Sequence, residues 1–198
     1  MKVLELFSGT GSIGKICKEK NWEVVSLDLK NADINTDILK WNYKELYKPN
    51  DFDIIWASPP CNTFSVLQYA LKTRPEIIRN QLENGVPILN KTLEIIDYFK
   101  PKYYFIENPD TGMMKNYLTH LPYYTVDYCK YENWGYRKRT RIWTNVTEFI
   151  PKICKKDCNS MTDIRNKHLK KVDNTKNMYR IPKNLILDLF NEIKNIKS

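Results

Sequence analysis

A chain of 198 residues, 42% of them hydrophobic and 28% charged, has the size of one domain with room for a small appendage, and a chain this long buries roughly 70% of its unfolded surface. Thirteen Tyr and five Trp argue against intrinsic disorder, and six Gly and ten Pro exclude collagen-like and low-complexity classes. The net charge is +9, and between Arg137 and Lys171 eleven basic residues face three acidic ones, which points to a polyanionic partner or, more plainly, to a solvated basic face.

In chain order, residues 2–7 read as a core strand, followed by Ser8-Gly9-Thr10-Gly11-Ser12-Ile13-Gly14 and a helix to about Lys20. Residues 23–28 form a second strand ending in Asp28, and residues 51–57 a third, stopped by Pro59-Pro60. Leu89, Leu93, Ile96 and Phe99 recur at helical spacing and predict an amphipathic helix over 86–100. Residues 102–106 give a strand that ends in Glu107-Asn108-Pro109. Residues 123–130 and 139–144 give two late strands, and 185–193 a C-terminal helix with Pro182 near its first turn. Strands alternating with helices predict an α/β fold, a mostly parallel twisted sheet with helices on both faces. The expected division is a catalytic domain over 1–150, a small basic module or loop over 151–178, and a helix over 179–198 that packs back on the first unit.

In such sheets ligands bind beyond the carboxyl ends of the strands, and four polar signatures fall at strand ends here. Gly9-Thr10-Gly11-Ser12-Ile13-Gly14 is a G-x-G-x-x-G turn opening a helix. It suits a polar ligand, with Asp28 placed for ribose hydroxyls, although a tight strand-to-helix turn explains it almost as well. In Ser58-Pro59-Pro60-Cys61-Asn62-Thr63-Phe64-Ser65 two prolines fix the backbone before a thiol, making Cys61 a candidate nucleophile rather than a small buried hydrophobe. Glu107 is a candidate proton donor at a pocket edge, with a solvated carboxylate as the alternative. Arg137, Lys138, Arg139 and Arg141 lie on an extended segment. Period two places the three arginines on one face, able to grip phosphates or a base oxygen.

In order and spacing these residues resemble the cytosine-5 DNA methyltransferase family. Phe7-Ser8-Gly9-Thr10-Gly11 is similar to its F-x-G-x-G cofactor motif, Pro59-Pro60-Cys61-Asn62-Thr63-Phe64-Ser65 to its P-P-C-Q-x-F-S, Glu107-Asn108-Pro109 to its E-N-V, and Arg137-Lys138-Arg139-Thr140-Arg141 to its Q-x-R-x-R. The resemblance covers about Lys2 to Thr144 and implies a Rossmann-like, S-adenosylmethionine-dependent methyltransferase fold. It also implies transfer of a methyl group to carbon 5 of cytosine in DNA. By that resemblance Cys61 is the nucleophile, Glu107 stabilises the activated ring, and Arg139 and Arg141 bind the base oxygen or position the loop. Phe7, Ser8, Gly9, Thr10, Gly11, Ser12, Asp28, Leu29, Asp37, Ile38 and Pro59 hold the cofactor. Ser65, Arg74, Arg137 and Lys138 are placed against nucleic acid, with a flipped-out base as substrate.

The departures are Asn62 for Gln, Pro109 for Val, Arg137 for Gln, and Leu29 where the family often stacks an aromatic ring. Only residues 142–178 separate Arg141 from Tyr179, where the family usually inserts a large recognition domain. The layout looks like compact members from phages and large DNA viruses, with recognition minimal, loose, or supplied by a protein partner or a second copy. The alternatives are the same chemistry on an RNA of tRNA type, an inactive nucleic-acid-binding homologue, and an NAD-dependent oxidoreductase that would leave Pro-Pro-Cys without a role.

No apolar run reaches the roughly 20 residues of a membrane span, and the first residues lack a signal-peptide layout. A cytoplasmic protein is expected, or a nuclear or virus-factory one if viral, with its five Cys reduced. No metal is expected. Were zinc bound, Cys154, Cys158 and His168 would be the candidate ligands, two reduced thiols in a loop being the simpler reading.

Overall fold

The computed structural model describes residues 1–66, 72–134, 136–159 and 179–195. Among these residues seven strands form one sheet: β1 (Lys2–Leu6), β2 (Glu23–Asp28), β3 (Ile34–Asn35), β4 (Ile54–Ala57), β5 (Tyr103–Pro109), β6 (Tyr123–Asp127) and β7 (Arg139–Thr144). Their order is β3-β2-β1-β4-β5-β7-β6. Every neighbouring pair is parallel except the two made by β7. The reversal has a simple cause. Only residues 128–138 connect β6 to β7, fewer than the dozen or so a parallel crossover needs. The strand order changes direction between β1 and β4, and a crevice opens beyond the carboxyl ends of the strands at such a point.

The helices are α1 (Ser12–Glu19), α2 (Tyr43–Leu46), α3 (Arg74–Asn80), α4 (Val86–Phe99) and α5 (Lys183–Asn195). On one face of the sheet α1 and α5 bury Ile13, Ile16, Leu185, Leu189, Phe190 and Ile193 against Val3, Trp56, Phe105 and Ile142. On the other, α4 sets Ile95 and Phe99 against Leu4, Leu6 and Ile55, while Leu89 packs with Phe64, Ile106 and Trp143. Burying one such side chain is worth roughly 1.5–3 kcal/mol, so α5 is held by its packed stripe. Ile186 N–H donates to the Pro182 carbonyl at 3.2 Å at its start, and Lys183 reaches Glu19 of α1 at 2.7 Å.

Several boundaries differ from expectation. β5 does not stop at Ile106 but runs through Glu107-Asn108-Pro109, because these residues pair with β7 in the register Glu107↔Ile142, Asn108↔Arg141, Pro109↔Thr140. β4 begins at Ile54 rather than Asp51, since Asp51 and Asp53 spend their carboxylates on the Lys48 and Lys2 amides. β6 ends at Asp127, giving way to a 3-10 turn over Tyr128–Lys130. The helix expected from 86 is the second half of a longer run. α3 opens with Thr73 N–H donating to Glu76 Oε2 at 2.7 Å, a Thr-x-x-Glu start signal with Pro75 in the first turn, and a π turn over Gln81–Gly85 joins it to α4. Among the described residues no helix is long and apolar enough to cross a membrane.

Candidate active site

The turn after β1 is built from left-handed backbone. Phe7, Gly9 and Gly11 have φ of 60°, 48° and 64°. For Phe7 this is a conformation that side chains disfavour. It reverses the chain so that α1 starts immediately and points its amides back over the strand end. Asp28, at the end of β2, accepts from Gly9 N–H at 2.8 Å and from Leu29 N–H at 2.7 Å, pinning the loop while leaving lone pairs for hydroxyl donors. Beneath it lies Glu5, only 3% exposed. Its carboxylate accepts from Ile13 N–H at 3.1 Å and Gly14 N–H at 3.0 Å, serving as the cap that α1 lacks at Gly11. Burial pushes the Glu5 carboxyl up to about 7, against the opposing pull of those two amides and of Lys15.

Phe7, Ser8, Gly9, Thr10, Ser12, Asp28 and Pro59 line one cavity of about 210 Å³, and the same cavity is lined by Cys61, Glu107 and Asn108. Trp56, Ser58, Tyr179 and Ile181 also line it. The segment before α5 is fixed there by Ile181 N–H donating to Ser12 Oγ at 3.2 Å. Rings and prolines beside hydroxyls and the carboxylates of Glu5, Asp28 and Glu107 match an adenosyl group, apolar at the base and polar at the ribose and its tail. Four expected cofactor contacts lie outside this lining. Gly11 serves as the α1 N-cap. Leu29 is 67% exposed. Asp37 caps a 3-10 turn by accepting from Leu39 N–H at 2.9 Å. Ile38 is a core residue packed with Leu4, Leu27 and Trp41; its apolar side chain is drawn into the layer under α4 and away from the crevice.

Cys61 caps a 3-10 turn over Asn62–Phe64 and is half-buried. Burial pushes its thiol up, Lys138 pulls it down, and Glu107 pushes it further up. Glu107 is 6% exposed and accepts from Tyr128 Oη at 2.9 Å and from Lys138 Nζ at 3.4 Å. Asn108 donates from Nδ2 to the Pro59 carbonyl at 2.9 Å, tying the Pro-Pro-Cys loop to β5. Its Oδ1 is buried and accepts no hydrogen bond among the described residues.

The arginines share a face as expected, but it is not the face of the cavity. Register puts Glu107 on the face it shares with Ile142, and Arg139 and Arg141, one residue off, fall on the opposite face. There Arg139 pairs with Asp127 at 2.8 Å, and Arg141 pairs with Asp110 at 2.7 Å and lies over the Tyr123 ring. Arg137 precedes β7 and joins Arg139 on the buried Asp127. Among the described residues, the cation that shares the cavity with Cys61 and Glu107 is therefore Lys138, not an arginine. Ser65 ends the turn after Cys61, and Arg74 is exposed at the start of α3; neither lines the cavity. The loop around 154–158 brings Cys154 and Cys158 beside Cys129, which the sequence reading did not include, while His168 lies outside the described residues.

Sequence reasoning also missed Glu5, Trp56, Tyr128, Asp127 and Tyr179. Glu5 alone carried a signal, a lone acid inside an apolar strand.

The sheet order and the ligand crevice at its switch point are those of a Rossmann-like, S-adenosylmethionine-dependent methyltransferase. Residues 1–142 match the family model for C-5 cytosine-specific DNA methylases, and the chain belongs to that family. It is 47% identical, over 169 residues, to a protein of Frog virus 3 (isolate Goorha) described as a probable DNA (cytosine-5)-methyltransferase, covering 81% of this chain and 79% of that one. Among solved structures, the S. pombe Dnmt2 methyltransferase aligns with a TM-score of 0.42 at 16% identity over 73% of this chain, which spans 48% of that one. A SAM-dependent methyltransferase from Archaeoglobus fulgidus aligns at 0.33 and 17%, over 55% of this chain and 44% of its own.

Proposed function

We propose that this chain methylates carbon 5 of cytosine in DNA through a covalent adduct on Cys61. The observation that carries the reading is the convergence of Cys61, Glu107 and Lys138 in one cavity with the glycine turn and Asp28. Phe7, Ser8, Thr10, Ser12 and Asp28 would hold S-adenosylmethionine, which supplies an electrophilic methyl group.

Carbon 5 of cytosine is a weak nucleophile. Addition of the Cys61 sulfur to carbon 6 places an electron pair on carbon 5 and makes it reactive. Glu107, oriented by Tyr128 and Lys138, would hydrogen-bond the ring nitrogen and amino group as charge builds there. Asn108 holds the loop of Cys61 against β5, fixing the approach of the sulfur. Once carbon 5 carries the methyl group, loss of its proton returns an electron pair that expels the Cys61 thiolate. With burial holding the resting side chain as a thiol, its proton must leave before attack, and Lys138 eases that loss. Arg137, Arg139 and Arg141 lie on the other face, where phosphate contacts are the role that fits them.

The test is nucleoside mass spectrometry on DNA and RNA from a methylation-free bacterial host expressing the chain. The reading predicts 5-methyldeoxycytidine in DNA, absent with Cys61→Ala. A mark confined to RNA would overturn the substrate, and a mark that survives Cys61→Ala would overturn the mechanism.

A further inference from the structure

Outside the cavity, three sulfurs come together from two parts of the chain. Cys129 sits in the 3-10 turn after β6, and Cys154 and Cys158 flank a short loop beyond β7. Their Sγ atoms all lie within 4.8 Å of one another. A tetrahedral zinc ion with Zn–S bonds of about 2.3 Å sets its sulfurs about 3.8 Å apart, so the cluster needs a contraction of at most about 1 Å to close on a metal. We propose that Cys129, Cys154 and Cys158 are ligands of a structural zinc site.

The backbone is folded around the Cys154 sulfur. The loop between Cys154 and Cys158 turns through Lys156 in the left-handed region, φ 67°. That turn brings the backbone N–H groups of Lys156 and Asp157 onto the Cys154 sulfur. Amides donating to a sulfur satisfy an anion better than a neutral thiol. Three thiolates around Zn²⁺ carry one net negative charge, and Lys130, Lys155 and Lys156 belong to the same turns. Cys129 and Cys154 are 8% and 6% exposed, so the site is shielded on that side. Cys129 and Cys158 also line a cavity of about 260 Å³, which leaves room for a fourth donor, water included. Asp157 lines it too, but its carboxylate is committed to Lys130 at 3.0 Å and the Lys155 amide at 3.0 Å. Binding replaces up to three S–H protons by metal–sulfur bonds, releases those protons, and involves no change of oxidation state.

The site has a structural reach. Cys154 N–H donates to Asp127 Oδ2 at 2.8 Å, and Asp127 holds Arg137 and Arg139. A metal at the three sulfurs would cross-link the segments after β6 and β7 behind those arginines.

The experiment is a cobalt titration of the full chain, reduced and freed of metal, followed by displacement with zinc. One equivalent of cobalt should bring up the thiolate-to-cobalt charge-transfer absorption and the visible bands of tetrahedral cobalt, and zinc should bleach both. Cys158→Ser, at the half-buried ligand, should lose the charge-transfer intensity, and Cys61→Ser should keep it. Absence of the band in the wild-type chain would overturn the proposal without reliance on any variant folding. So would its persistence in Cys158→Ser, or a thiol count under denaturing, non-reducing conditions showing two of the three sulfurs joined as a disulfide.

Discussion

Glu5 sets two physical effects against each other, and pH separates them. Two amides at the start of α1 and Lys15 favour the carboxylate, while near-complete burial favours the acid, and burial wins, taking the group from 4.5 to about 7. A folded-state value above the unfolded one means the native chain binds the extra proton between those limits. The stabilisation is therefore complete below pH 4.5 and is lost as pH rises through 7. At about 1.4 kcal/mol per unit, roughly 2–3 kcal/mol should disappear between pH 5 and 8. The assay is urea unfolding at several pH values for the wild-type chain and Glu5→Gln. The neutral amide mimics the protonated acid and removes the titration, so the difference between the two cancels the groups they share. Glu5→Gln should gain on the wild type by that 2–3 kcal/mol as pH rises. A wild type that instead gains on Glu5→Gln over the same range would show that the helix amides outweigh burial, and the reasoning would fail.

Asp127→Ala leaves two partly buried guanidinium groups without their shared carboxylate and should cost about 3–5 kcal/mol, measured as a lower denaturation midpoint with an unchanged slope. In the wild type the Asp127 carboxyl is held at about 2 by Arg139, Arg137 and the Cys154 amide acting against burial. Its contribution should persist above pH 4 and fade toward pH 2, a window that acid unfolding of wild type against Asp127→Asn would reveal. Lys138→Met removes the cation that pulls the Cys61 thiol down, so the pH midpoint for iodoacetamide labelling of Cys61 should move upward; an unmoved midpoint would separate Lys138 from the thiol. At Gly85 a Cβ would fall 2.7 Å from Thr63 Oγ1 and 2.8 Å from Phe64 Cζ. Gly85→Ala should therefore cost about 1–3 kcal/mol and depress methyl transfer more than cofactor affinity, read as kcat against cofactor Kd.

Much of the parallel half of the sheet was legible because its signals are local. An apolar strand followed by Gly9 and Gly11, or stopped by Pro59-Pro60, announces its own end. What escaped depends on pairing. The end of β5 could not be placed from Tyr103–Ile106, because Glu107, Asn108 and Pro109 stay in the sheet only through their partnership with β7. The same register sends Arg139 and Arg141 away from Glu107, whereas period two had shown only that they share a face with each other. Asp127 reads as an ordinary acid at a strand end until Arg137, Arg139 and the Cys154 amide arrive from later in the chain. Cys129, 25 residues before Cys154 in the sequence, joined no local pattern at all.

The π turn over Gln81–Gly85 amounts to one residue too many in a rod that otherwise runs from Arg74 to Phe99. Each helical residue advances the phase by about 100°, and the wider turn takes up the surplus one, so α3 and α4 keep the clocking of an unbroken helix one residue shorter. Winding the same number of residues as regular α-helix would instead swing α3 by that angle about its axis. Ile77, wholly buried, would then leave its seat, and the Thr73–Arg74 entrance would face another direction. The irregularity thus works as a phase adjuster, keeping Ile77 and Leu89 both buried in a rod that carries one residue more than its phase allows.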